Sequence, residues 1–156
     1  MSRRNISKKR FPKLDVTYNS YLVSLLIKRI LKSGKKTTAQ NIVNGAFEII
    51  KNKTKKDPLL IFEKAVKNAS PVVEVKARRI GGSTYQVPTE ISSFKSINLA
   101  LRWIIKHSRD RIGRTMAIKL ANEIIDTANN ISNTVKKKDE THKMAEANKA
   151  FAHFRY

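Results

Sequence analysis

His107, His142 and His153 are the only histidines in the chain, cysteine is absent, and twelve Asp and Glu stand against thirty-three Lys and Arg. No histidine has a partner four residues away on a helix, as a metal site of the H-E-x-x-H kind requires. His142 and His153 could share a face, but no carboxylate or thiolate completes a site. The acids sit mostly beside cations: Asp110 lies between Arg109 and Arg111, and Asp139-Glu140 follows Lys136-Lys137-Lys138. Charge balance accounts for them without general acid–base work. The Gly81-Gly82 pair lacks the G-x-x-x-x-G-K-[ST] frame of a phosphate loop and the helix that would follow it. The residues therefore argue against an enzyme and imply neither cofactor nor metal.

What remains is positive charge. A net +21 self-repels in a compact chain unless a polyanion neutralises it, so nucleic acid is the leading partner. A membrane is disfavoured, because no apolar run approaches the roughly 20 residues that a spanning helix needs. The start, MSRRNISKKRF, has no apolar segment and is not a secretory signal. Arg3, Arg4, Lys8, Lys9, Arg10 and Lys13 occur without an acid in residues 1–13, which reads as a disordered basic arm ordered only by a partner. Residues 14–156, with 40% hydrophobic content for the whole chain, suit one helical domain.

The elements that position these cations follow from periodicity. Residues 72–91, VVEVKARRIGGSTYQVPTEI, place two β-prone runs around Gly81-Gly82, whose tolerance of positive φ suits a two-residue hairpin turn. With that turn Arg79 opposes Thr84, Arg78 opposes Tyr85 and Lys76 opposes Val87, and the ribbon is expected to stand out as an arm rather than as a core strand. About six helices surround it. The first spans about Tyr18 to Ser33 with Gly34 as its C-terminal cap, and Lys28, Arg29, Lys32, Lys35 and Lys36 gather at its end. Thr37 with Gln40 has the form of a capping box for the second, and Asp57-Pro58 opens the third, which Pro71 stops. Ser93 or Ser96 caps the fourth. There Arg102, Lys106 and Arg109 recur at three- and four-residue steps, a cationic stripe opposite the apolar one. The fifth runs from about Thr115, and the last carries Met144, Ala147, Phe151 and Phe154 on one side.

These residues resemble the small-subunit ribosomal protein S-seven family of bacteria and organelles. The likeness rests on the run from Lys76 to Pro88, on Gly34-Lys35-Lys36, on Ala100-Leu101-Arg102-Trp103-Ile104, and on Met144 to Arg155, in the same order along nearly the whole chain. It implies a mainly α domain with one protruding β-hairpin arm that binds the 3′ major domain of small-subunit rRNA and nucleates assembly of the subunit head. In that family the hairpin lies near the exit-site tRNA and the mRNA exit path, and the last helix lies beside ribosomal protein S-eleven. By position, the arm, Lys35, Lys36, Lys76, Arg78 and Arg79 would touch rRNA, extended by Arg102, Arg109, Arg111, Arg114, Lys119 and Lys136 to Lys138. Gly81, Gly82, Ser83, Thr84 and Tyr85 would lie near the tRNA. The short ending and the Lys-, Asn- and Ile-rich composition resemble a plastid-encoded member, with a bacterial source the alternative. Specificity would come from RNA shape, since A-form grooves hide base edges. Tyr85 is read either as stacking on a base or as packing on Arg78.

A DNA-architectural protein is the strongest rival, because a helical body with a basic ribbon also builds minor-groove benders. Such arms usually carry an apolar wedge, and Gly81-Gly82-Ser83-Thr84 offers none. An RNA-modifying enzyme is the second rival, disfavoured by the missing catalytic constellation.

Overall fold

The computed structural model describes residues 12–154. In chain order they form α1 (Tyr21–Ile30), α2 (Lys36–Thr54), α3 (Pro58–Ala69), β1 (Val73–Ile80), β2 (Ser83–Glu90), α4 (Ser93–Asp110), α5 (Met116–Ala128) and α6 (Asn133–Ala147), closed by a 3₁₀ turn, Lys149–Phe154. This is the mainly α architecture with one hairpin that the periodicity predicts. α5 is the centre: it packs against α2, α3 and α4 and touches α6. Its buried Leu120, Ala121 and Ile124 meet Val43, Phe47 and Ile50 of α2, Phe62 and Val66 of α3, and Leu101 and Ile104 of α4 in one apolar core. Phe47 links the layers, with its ring 4.9 Å from Tyr18 and 5.6 Å from Phe62 between centroids.

Helix ends follow local chemistry, with four departures from the sequence reading. Asp57 caps α3 by accepting from the Leu59 N–H at 3.1 Å, with Pro58 at the first helical position. α5 begins where expected, with Thr115 as its cap accepting from Ile118 N–H. α1 is shorter than the apolar pattern suggests. The Asp15 carboxylate instead accepts from Thr17 and Tyr18 N–H, an Asx-type turn, and Asn19 at φ 46° turns the chain before α1 begins. At the other end Leu31 is already extended, so Gly34 (φ 74°) shapes the α1–α2 loop and is not a helix cap. The Thr37/Gln40 box does not form, because α2 already starts at Lys36. Ser92, not Ser93 or Ser96, precedes α4. Ser96 is buried and donates to the Pro71 carbonyl at 2.7 Å, tying the start of α4 to the entry of the hairpin.

The hairpin register is the expected one: Lys76 faces Val87, Arg78 faces Tyr85 and Arg79 faces Thr84, with Gly81 (φ 55°) and Gly82 (φ 91°) in the turn. Ile91 N–H to Val72 carbonyl, 3.0 Å, carries the pairing to residues 72 and 91. The base of the ribbon is less free than an arm. Val87 and Thr89 are buried, the ribbon packs against α6, and His142 of α6 accepts from Val72 N–H at 3.1 Å. Farther out, Tyr85 lies 5.3 Å from both Phe151 and Phe154. The sequence reading did not foresee this contact: the Tyr85 ring meets two phenylalanines of the closing turn, while Arg78 stands opposite it in the strand register. The single stripe expected on the last helix is corrected too. Asn148 ends α6, Met144 and Ala147 are exposed, and Ala145 between them is buried. The 3₁₀ turn then swings Phe151 and Phe154 back onto the ribbon.

Two outcomes follow from this packing. Phe47→Ala should lower unfolding free energy by about 3–5 kcal/mol in a urea titration, since it opens a cavity at the centre of the core. Tyr85→Ala should leave that titration nearly unchanged while speeding amide hydrogen exchange in β1 and β2, because it releases only the outer ribbon from the closing turn.

Candidate nucleic-acid interface

The cationic stripe of α4 falls against the end of α1. Arg102, Lys106 and Arg109 line a hollow with Lys28 and Arg29, floored by Ile105 and bordered by Asp110. Two neighbouring hollows share its walls. Lys28 also borders one that contains Lys13 and Lys36, and Arg109 borders another with Lys32 and Lys35. The result is a continuous cationic surface across α1, the start of α2 and α4. Helix geometry explains it: the buried faces of α1 and α4 pack on each other and on the core, so their opposite faces turn outward side by side. Lys28, Arg29, Lys32 and Lys106 join the positions carried over from the family resemblance. Clustering at the end of the first helix marked Lys28, Arg29 and Lys32, and three- and four-residue spacing marked Lys106.

Like charges here are held close. Arg29 is partly buried, its Nη2 donates to Asn98 at 2.7 Å, and its pKa lies below the ordinary guanidinium value through burial and the repulsion of Arg102. An anion in the hollow would relieve that repulsion.

The other predicted positions divide by what they touch. Lys35, Lys36, Arg79, Arg114 and Lys136 are exposed. Lys76 is exposed and lies 3.4 Å from Glu74, which Lys95 also pairs with. Arg78 is half-buried on the ribbon, and the tip residues Gly81, Gly82, Ser83 and Thr84 are exposed. Lys119 is half-buried and reaches the Arg109 carbonyl at 3.5 Å. Lys137 pairs with Glu140 at 2.7 Å and holds the Glu140 carboxyl below its ordinary range, and Lys138 donates to the Asn68 carbonyl at 2.7 Å. Of that lysine cluster Lys136 is the one most open to solvent. Arg3, Arg4, Lys8, Lys9 and Arg10 lie outside the described residues.

Arg111 serves the fold. Its Nε donates to Glu123 at 2.5 Å and its Nη2 to Asp126 at 2.6 Å, and the two carboxylates raise its pKa against the opposing effect of burial. Glu123 is 1% exposed, and its other oxygen accepts from the Thr134 hydroxyl at 2.7 Å. Sequence reasoning missed Glu123. It lies three residues after Leu120, on the buried face of α5, which is the signal that a charged residue there needs a partner.

Among the described residues no group of His, Asp and Glu could hold a metal ion, and no helix is long and apolar enough to cross a membrane.

Comparison with known proteins gives one consistent result. Residues 2–149 match the family described as Ribosomal protein S7p/S5e. The chain is similar to small ribosomal subunit protein uS7c of Trieres chinensis, 78% identical over 144 residues, covering 92% of this chain and 91% of that one. It is also similar to the uS7 proteins of Gloeothece citriformis and Microcystis aeruginosa, 58% and 59% identical, each over the whole of both chains.

Arg111→Ala should cost about 3 kcal/mol of stability, the low end for breaking a buried pair, because it strands the Glu123 carboxylate while water reaches the vacated side. Arg102→Ala should change thermal unfolding little, being an exposed position. Equal losses of stability in the two variants, measured by the same denaturant titration, would contradict this division of the cations.

Proposed function

Since the chain belongs to the Ribosomal protein S7p/S5e family, and is thus a structural protein of the small ribosomal subunit and not an enzyme, we propose that it is a primary rRNA-binding protein. Its target is the 3′ major domain of small-subunit rRNA, where it nucleates assembly of the subunit head. The observation that carries this reading is the continuous cationic surface over α1, α2 and α4, whose repelling guanidiniums call for an anion. Its cations neutralise phosphates and release condensed counterions, which supplies affinity. A rigid helical face placing them at fixed spacing supplies selection for RNA shape.

The exposed tip, Gly81 to Thr84 with Arg79 beside it, reaches towards the exit-site tRNA and the mRNA exit path. The closing turn that braces it faces ribosomal protein S-eleven. The source is a plastid, a reading supported by the higher identity to the uS7c of Trieres chinensis than to the cyanobacterial proteins. A ribosome of a bacterial cytoplasm is the second reading, which full-length likeness to the cyanobacterial proteins favours.

The test is binding to a 3′ major domain RNA fragment against size-matched unrelated RNA and duplex DNA at one moderate salt concentration. Preference for the fragment by roughly a thousandfold or more is expected. Equal affinity for all three would overturn the reading. Substituting Arg102, Lys106 and Arg109 by alanine should lower the slope of log affinity against log salt by about 0.7–0.9 for each phosphate that is no longer neutralised.

A further inference from the structure

Beside the cationic surface lies a hollow of different character. It has a volume of about 420 Å³ and is lined by Ile27 of α1, by Leu31 just after that helix, and by Leu14 and Val16. Lys13, Lys28 and Lys36 stand at its rim. Its apolar wall is open to water: Val16 is 95% exposed and Leu14 54%. The wall is nevertheless built. The Ser24 hydroxyl donates to the Lys13 carbonyl at 2.7 Å, which ties the segment before α1 to the helix. Asp15, 8% exposed, also lines the hollow, and its carboxylate accepts from the Thr17 and Tyr18 amides. The Gln40 side chain reaches the hollow from α2 and makes no hydrogen bond among the described residues.

Resting on the rRNA-binding reading, we propose that this hollow takes one unpaired nucleotide of the bound RNA, flipped out of its stack. Three features select that occupant over an apolar side chain. The rim is cationic on both sides, so the occupant carries negative charge next to an apolar body, as a nucleotide does. Lys28 belongs to this rim and to the phosphate-binding surface at once, so a backbone following the cations of α4 is led past the opening. The Gln40 amide, without a hydrogen-bond partner among the described residues, offers a donor and an acceptor together, the pair needed to read a base edge. Duplex RNA hides those edges, whereas sequence-specific recognition works on unstacked bases held against flat or apolar side chains. The hollow therefore supplies base selectivity that binding to phosphates cannot.

The experiment uses the full chain bound to the 3′ major domain fragment, with p-benzoylphenylalanine in place of Val16 as photo-crosslinker. Crosslinking should converge on one unpaired nucleotide. An abasic residue at that nucleotide should weaken wild-type binding roughly tenfold, within the range for removing one base from a protein stacking surface. Gln40→Leu should weaken it as well, with the salt slope unchanged, and the abasic RNA should then cost the variant less than it costs the wild type. Crosslinks spread along duplex backbone, crosslinks to a neighbouring protein in assembled subunits in place of RNA, or an abasic RNA bound as tightly as the intact one would each overturn the proposal. Undiminished preference for the cognate fragment in Gln40→Leu, together with indifference to the abasic site, would sink the nucleotide hollow alone. A wild type that does not prefer the fragment at all would bring down the rRNA-binding reading and this proposal with it.

Discussion

A carboxylate buried on the inner face of a central helix cannot stay charged without partners, and Glu123 is such a group. Its two oxygens are satisfied from opposite directions, by Arg111 at the end of α4 and by Thr134 at the start of α6. One buried charge thus sets where two other helices must lie relative to α5. The neighbouring Thr127 hydroxyl, bonded to the Glu123 carbonyl and to Ser132, repeats the tie at the same corner. Part of the functional surface hangs from those two helices. α4 carries the cationic stripe, and α6 carries the base of the hairpin through His142 and the closing turn that meets Tyr85.

The same charge sorting explains why so basic a chain folds. Several of its acids pair with cations: Glu123 and Asp126 with Arg111, Glu140 with Lys137, and Glu74 with Lys76 and Lys95. Little acidic charge is left for α1 and the outer face of α4, where Asp110 alone borders the central hollow. Repulsion is therefore concentrated on one surface instead of being spread over the molecule. The depressed pKa of Arg29 is the local mark of that concentration. Such a surface costs stability in the free protein, and the cost is returned when a polyanion binds.

How much of this was legible in the sequence depends on the range of the interaction. The hairpin and its register were legible, because Gly81-Gly82 fixes the turn and the pairing then follows residue by residue. The helices and the α4 stripe were legible from three- and four-residue spacing, and the Asp57-Pro58 start from chemistry two residues long. What failed depends on partners far along the chain or on competition between neighbouring local signals. Gly34 had the right residue type and conformation for a helix cap, yet α1 stops earlier and leaves it in a loop. Arg111 looked like one more exposed cation until α5 brought Glu123 and Asp126 to it. The aromatic contact of Tyr85 was not legible because Phe151 and Phe154 return to the ribbon from the other end of the chain.

That long-range closure also changes what kind of binding element the hairpin is. A ribbon joined to the body only by its two strand ends would sample many orientations, and a partner would have to order it on binding at an entropic cost. Here Val87 and Thr89 seat its base, His142 holds its entry, and two phenylalanines brace it halfway out at Tyr85. Only the turn and the residues next to it extend past the brace. The ribbon therefore presents Arg79 and the Gly81-Gly82 turn at a set distance and angle from the α1–α4 surface. Two recognition surfaces held at fixed separation select a partner by its shape, because a partner that fits one surface and misses the other obtains only part of the binding free energy.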